Sequence, residues 1–131
     1  MSILNYQIIL YVADQNKSKD FYKAILQKIP DLDVPGMTEF ILGDNLKLGL
    51  MPENGIAKIL LDKTIHPNAG NGIPRCELYL LVDNIKEVFE IAIKLGAKEI
   101  SEIKERDWGD TVGYVSDFDG NIIAFAKTTI R

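Results

Sequence analysis

The two halves of this chain open with the same kind of sequence. Apolar runs over residues 7–12 and 77–82 are each followed by an acidic residue and an amphipathic helix pattern. Each half then closes with short strand patterns separated by Gly, Asp and Asn. An internal repeat constrains the fold more than any single motif does. We predict two similar β-α-β-β-β modules: module 1 over residues 1–62, a link over residues 52–74 and module 2 over residues 75–131.

Length and charge limit the possible classes of protein. A chain of 131 residues favours one domain, because separate halves would have a marginal core. The net charge is −4 and no basic stripe appears, so we expect no nucleic-acid partner. No basic leader or membrane-length apolar run is present, and there is one cysteine. We therefore expect no membrane association and a cytoplasmic location.

Two polar residues occupy equivalent places in otherwise apolar strand patterns. Gln7 lies in the first opening strand and Glu77 in the second, where Tyr79 shares its side of the strand. A carboxylate on an apolar strand loses hydration unless it is paired. Glu77 is therefore a candidate general base, or an anchor for a cationic or hydroxyl-bearing ligand. The alternative is a buried structural pair of Gln7 and Glu77, with Arg75 or another cation neutralising Glu77.

Several stretches carry a resemblance to a known superfamily. They are residues 12–14 leading to 20–22, residues 80–84, and the closing stretch 108–123, in which Phe118 stands where proline is common. With them the chain resembles the vicinal oxygen chelate superfamily, which includes glyoxalase I, bleomycin-resistance proteins and extradiol dioxygenases. The resemblance implies an α+β fold of two tandem βαβββ modules forming a cupped, mostly antiparallel sheet. It also implies a homodimer, but it names no single reaction.

The resemblance also places four metal-ligand positions on this chain. They fall on Gln7, on Leu48 or Gly49 depending on register, on Glu77 and on Ala124. Two of these positions have no donor side chain, and the single histidine, His66, lies in the link outside all four. We therefore expect no bound cofactor and no usual metal site. The open exception is a non-standard divalent metal held by Gln7 and Glu77.

The leading hypothesis is a small-molecule binding protein similar to bleomycin-resistance proteins, with apolar walls and few polar groups around the ligand. Its predicted ligand contacts are Gln7, Ile9, Leu48, Leu50, Glu77, Tyr79, Trp108, Tyr114 and Ala124. The alternative is a glyoxalase-like lyase or isomerase that uses Glu77 as catalytic base near a carbonyl α-proton. A third hypothesis is a protein in which only a dimer surface matters and the pocket is filled by its own side chains.

Smaller features carry local expectations. Trp108 lies in a polar turn, where it either stacks on a flat ligand or seals the sheet edge. Arg75 and Arg106 flank strand starts, where they either bind an anionic group or are solvated or ion-paired. We expect Cys76 to be a small buried residue, residues 31–36 to be a loop, and the first helix to continue to Pro30.

Overall fold

The structure is a computed structural model that describes residues 2–128. It divides into two compact units, unit 1 over residues 1–70 and unit 2 over residues 71–131. Each unit runs β-α-β-β-β and contains one four-stranded mixed sheet. The predicted α+β class and the tandem βαβββ repeat are therefore confirmed, whereas the single-domain prediction stays a prediction.

Unit 1 begins with strand β1 (Tyr6–Val12), helix α1 (Gln15–Leu26) and strand β2 (Leu32–Val34). Strands β3 (Met37–Gly43) and β4 (Leu46–Pro52) follow. The sheet order is β1-β4-β3-β2, in which only the β1–β4 pair is parallel. Helix α1 covers the sheet with a buried stripe of Phe21, Tyr22 and Ile25.

Two expectations about this unit are wrong. Helix α1 ends at Leu26 rather than at Pro30, because Gln27 takes a left-handed backbone conformation (φ 53°), and Ile29 is exposed. Residues 31–36 are not a plain loop, since they contain β2. That strand is three residues long, too short to show a periodic pattern in the sequence.

The predicted link begins with helix α2 (Glu53–Leu60). Two short 3₁₀ turns follow, at Leu61–Lys63 and Pro67–Gly70. Between them, His66 Nδ1 accepts a hydrogen bond from the Asn68 N–H, and His66 Nε2 lies 2.9 Å from Asn54 Oδ1. The link therefore has structure of its own instead of being a plain loop.

Unit 2 repeats the plan of unit 1 with strand β5 (Glu77–Leu81), helix α3 (Ile85–Lys94) and strand β6 (Lys98–Glu105). Strands β7 (Asp110–Ser116) and β8 (Ile122–Thr128) complete a sheet of order β5-β8-β7-β6, with only β5–β8 parallel. Cys76, just before β5, is exposed, so the expectation that it is buried is wrong. Within residues 2–128 no helix is long and apolar enough to span a membrane.

Candidate functional site

The register of unit 1 separates two faces of its sheet. Gln7 pairs with Lys47, and Ile9 pairs with Gly49, which also pairs with Glu39 of β3. Since paired residues project to the same side of a sheet, these five residues share one face, which we call the open face of unit 1. Gln7 is half-buried there and Ile9 is 40% exposed, so both predicted ligand contacts are accessible.

Leu48 and Leu50 do not belong to this face. They pair with Ile8 and Leu10, on the opposite side of the sheet, and both side chains are fully buried. The expectation that they line the ligand site with Gln7 is wrong, because they are part of the hydrophobic core.

A polar network crosses the open face of unit 1. Gln7 Nε2 donates a hydrogen bond to Glu39 Oε2 at 3.0 Å, and Lys47 Nζ lies 3.4 Å from Glu39 Oε1 and 3.0 Å from Asp31 Oδ2. The hydrogen bonds to Asp31 and then Glu39 hold the pKa of Lys47 above its usual value. Our sequence reasoning missed Glu39. Its only sequence signal is a lone carboxylate in the alternating pattern of β3.

A pocket of about 480 Å³ adjoins this network. It lies where β1, β3 and β4 meet the turn between β3 and β4, and it combines amide, charged and apolar side chains. Its lining residues are Asn5, Tyr6, Gln7, Glu39, Ile41, Gly43, Asn45, Leu46 and Lys47. The volume falls within the roughly 300–1,000 Å³ range of small-molecule sites.

The four metal-ligand positions that the resemblance implies can be located in this geometry. The register assigns the second position to Gly49, beside Ile9 and on the side of Gln7. A Cβ at residue 49 would lie 2.6 Å from Gln7 Nε2, so the Gln7 amide occupies the space in which a ligating side chain would begin. The fourth position, Ala124, is fully buried and has no donor atom. Residues 2–128 also contain no cluster of three or more His, Cys, Asp or Glu suited to a metal ion. These side chains do not fit the four-ligand site.

Unit 2 has an open face of its own. Tyr79 of β5 pairs with Ala124 of β8, which pairs with Tyr114 of β7, so these residues share one side of the sheet with Glu77. Ala124 is fully buried in a small cluster with Val112 and Ala126, against which Tyr114 packs. The expectation that Ala124 contacts a ligand is therefore wrong, because a neighbouring ring covers it.

Glu77 is exposed, so the expected loss of hydration does not occur. Among residues 2–128 it forms no ion pair with Arg75, which is also exposed. The expectations that Glu77 is buried and that Arg75 neutralises it in an ion pair are therefore wrong. Its carboxylate is open to solvent on the same side of the sheet as Tyr79.

Trp108, Tyr79 and Asp110 form a chain of hydrogen bonds at one end of this face. Trp108 Nε1 donates to the Tyr79 hydroxyl at 2.9 Å, and that hydroxyl donates to Asp110 Oδ2 at 2.6 Å. Partial burial, together with the hydrogen bond to Asp110, raises the pKa of Tyr79. Trp108 remains 57% exposed and Tyr79 37% exposed, so this chain fixes aromatic surface that is still accessible.

Arg106 lies beside these aromatic residues. Its guanidinium carbon is 5.2 Å from the centre of the Tyr114 ring, in a cation–π arrangement. Nε and Nη2 donate to neutral oxygens, those of Val112, Glu102 and Ser101. The side chain is half-buried and forms no ion pair within residues 2–128.

Comparison with known proteins gives the family. The family model described as a glyoxalase-like domain matches residues 5–129. The chain belongs to the glyoxalase-like domain family. This glyoxalase-like protein is also similar to structures of the wider vicinal oxygen chelate superfamily, as its sequence predicts.

Three solved structures illustrate the likeness. A glyoxalase-related enzyme from Fulvimarina pelagi matches at TM-score 0.80 and 18% identity, over 98% of this chain and 89% of that one. A glyoxalase/bleomycin resistance protein/dioxygenase family enzyme from Burkholderia phytofirmans matches at TM-score 0.79 and 13% identity, over 93% of this chain and 96% of that one. A member of the glyoxalase/bleomycin resistance protein/dioxygenase superfamily from Sphaerobacter thermophilus matches at TM-score 0.67 and 20% identity, over 96% of this chain and 98% of that one. These identities support a shared fold only. A search of curated protein sequences gives no match.

Proposed function

We propose that this glyoxalase-like protein binds a small molecule on its open faces without a catalytic metal. The observation that carries the proposal is the pocket of about 480 Å³ in unit 1, with the Gln7 amide held over Gly49 by Glu39. Gln7 has a carbonyl oxygen and a second N–H beyond its bond to Glu39, so it can both accept from and donate to a ligand. Tyr6, Ile41 and Leu46 supply the apolar contacts that such pockets require.

A small-molecule screen by thermal shift, in buffer containing EDTA, tests the proposal. We expect at least one compound class to raise the melting temperature, and the Gln7→Leu variant to lose that stabilisation because its amide is gone. Gln27→Asn is the matched control, because residue 27 lies at the exposed end of α1 and asparagine tolerates its left-handed conformation. Equal stabilisation in Gln7→Leu and wild type would contradict this use of the pocket.

A second candidate function is a lyase or isomerase that uses Glu77 as base. It is favoured by the accessibility of the Glu77 carboxylate on the open face of unit 2. Such an enzyme exchanges the α-proton of a bound carbonyl compound with solvent. Proton NMR of carbonyl compounds in D₂O tests this candidate: it requires exchange that wild type accelerates and Glu77→Gln does not.

We also propose that the protein is a homodimer, since the superfamily resemblance implies one. Light scattering coupled to size exclusion measures the mass directly. A mass near twice the 14.7 kDa of one chain supports the proposal, and a mass near that of one chain contradicts it.

A further inference from the structure

We propose that the open face of unit 2 binds organic anions with a flat apolar body, with Arg106 as the group that holds the anionic end. This inference rests on the proposed binding function but uses other residues than the pocket around Gln7. Variants at Gln7 and at Arg106 therefore test the two proposals separately.

The first support is that Arg106 is held in one orientation. Nε donates to the Val112 carbonyl oxygen at 3.2 Å. Nη2 donates to that same oxygen at 2.9 Å, to the Glu102 carbonyl oxygen at 2.8 Å and to Ser101 Oγ at 3.0 Å. The Tyr114 ring packs against the guanidinium. A cation fixed in this way loses little side-chain freedom when it binds a ligand.

The second support is the charge balance around Arg106. All of its hydrogen-bond acceptors are neutral, and no carboxylate lies within 4.0 Å of it among residues 2–128, where the ion pairs involve Lys19 and Lys47. The carboxylate of Asp110 accepts a hydrogen bond from the Tyr79 hydroxyl instead. Within the same residues, Nη1 has no hydrogen-bond acceptor. A half-buried guanidinium with a free donor nitrogen and no carboxylate in contact favours an anion.

The third support is the aromatic surface beside this charge. Trp108 is 57% exposed and is fixed by its bond to the Tyr79 hydroxyl, while Tyr79 itself is 37% exposed. Fixed, accessible rings favour flat apolar groups, which stack on them with little loss of side-chain freedom. Together with Arg106 they match an aromatic or unsaturated molecule that carries a carboxylate. A phosphate ester has the same anionic chemistry.

A purely structural role for Arg106 makes a different prediction. The pairing of β6 with β7 shifts register between Ser101 and Lys104, and Arg106 bonds the carbonyl groups of Glu102 and Val112 across this irregular stretch. If this bracing were its only role, ligand affinity would not depend on ligand charge. The decisive readout is therefore discrimination between ligands of one shape and different charge.

Calorimetric titration of three matched probes measures this discrimination: 2-naphthoate, 2-naphthamide and 2-naphthylmethylammonium. We expect wild type to bind the carboxylate about tenfold more tightly than the amide, and the cation most weakly. Arg106→Gln should bind carboxylate and amide equally. Arg75→Gln removes one exposed positive charge elsewhere in unit 2 and should keep the preference. Repeating the titration with 2-naphthyl phosphate distinguishes the carboxylate from the phosphate class.

Two further readouts guard against a variant that fails to fold. Arg106→Lys keeps the charge but not the planar fork, so we expect it to keep part of the preference for the carboxylate. The single tryptophan gives one indole N–H resonance, which 2-naphthoate should shift in the wild type.

Equal binding of carboxylate and amide by wild type, or no binding of any probe, overturns the proposal. A preference that is unchanged in folded Arg106→Gln also overturns it.

Discussion

The side-chain amide of Gln7 lies directly over Gly49, with Gln7 Nε2 only 2.6 Å from the position that a Cβ at residue 49 would take. Gly49 is buried in β4, where glycine is otherwise an unfavourable residue. The contact between Gln7 and Gly49 explains why a glycine stands in this buried strand, because the absence of a side chain at residue 49 makes room for the Gln7 amide. Glu39 holds the amide in that place through a hydrogen bond.

Gly49→Ala should therefore destabilise unit 1. The new methyl group must displace Gln7 and disturb its hydrogen bond to Glu39, which we expect to cost about 1–3 kcal/mol. Urea unfolding measures the loss. Gly43→Ala is the matched strand control, because nothing lies within 4 Å of a Cβ there, and it should be neutral or slightly stabilising. Equal stabilities for the two variants would show that the Gln7 amide moves aside freely.

The hydrogen-bond chain through Tyr79 predicts a specific alkaline titration. The pKa of Tyr79 is raised above its usual value of 10.0 by partial burial and by Asp110. A raised pKa means that its stabilising contribution is complete below pH 10 and is lost as the pH rises through the folded-state pKa. Absorbance at 295 nm should show a late-titrating phenol contribution that is absent in Tyr79→Phe. An unchanged titration curve in Tyr79→Phe would contradict the hydrogen-bond chain.

Glu77 and Arg75 should be energetically independent. Both are exposed and form no ion pair with each other, so Glu77→Gln and Arg75→Gln should each change the free energy of unfolding by less than about 0.5 kcal/mol. The double variant should equal the sum of the single variants. A coupling energy above about 1 kcal/mol in this cycle would restore the structural pair that the sequence suggests.

Strand periodicity was enough to predict much of the fold and part of the site. The repeat predicts both βαβββ modules, and alternation along β5 correctly places Glu77 and Tyr79 on one side of the sheet. Alternation within one strand does not determine its register against another strand. Leu48 and Leu50 were therefore assigned to the wrong face, and Gly49 is the residue beside Ile9.

Contacts between distant parts of the chain were not predictable in this way. Glu39 reaches Gln7 from β3, and the Tyr79 hydroxyl reaches Asp110 on β7. Each contact depends on the order of strands in the sheet. Alternation along one strand does not determine that order, so an isolated polar residue such as Glu39 gives no indication of its partner. Arg106 was noticed as a charge, but two of its three neutral acceptors are the backbone carbonyls of Glu102 and Val112, which have no side-chain signature.

The central claim, small-molecule binding without a catalytic metal, is tested most directly by calorimetric titration of nickel, zinc and manganese into protein purified without a histidine tag. The compound identified by thermal shift is then titrated with and without EDTA. The account predicts no stoichiometric metal binding and the same ligand affinity in both buffers. Near-stoichiometric metal binding that Glu77→Ala or Gln7→Leu removes, with ligand affinity lost in EDTA, would contradict it and indicate a glyoxalase-like metal site.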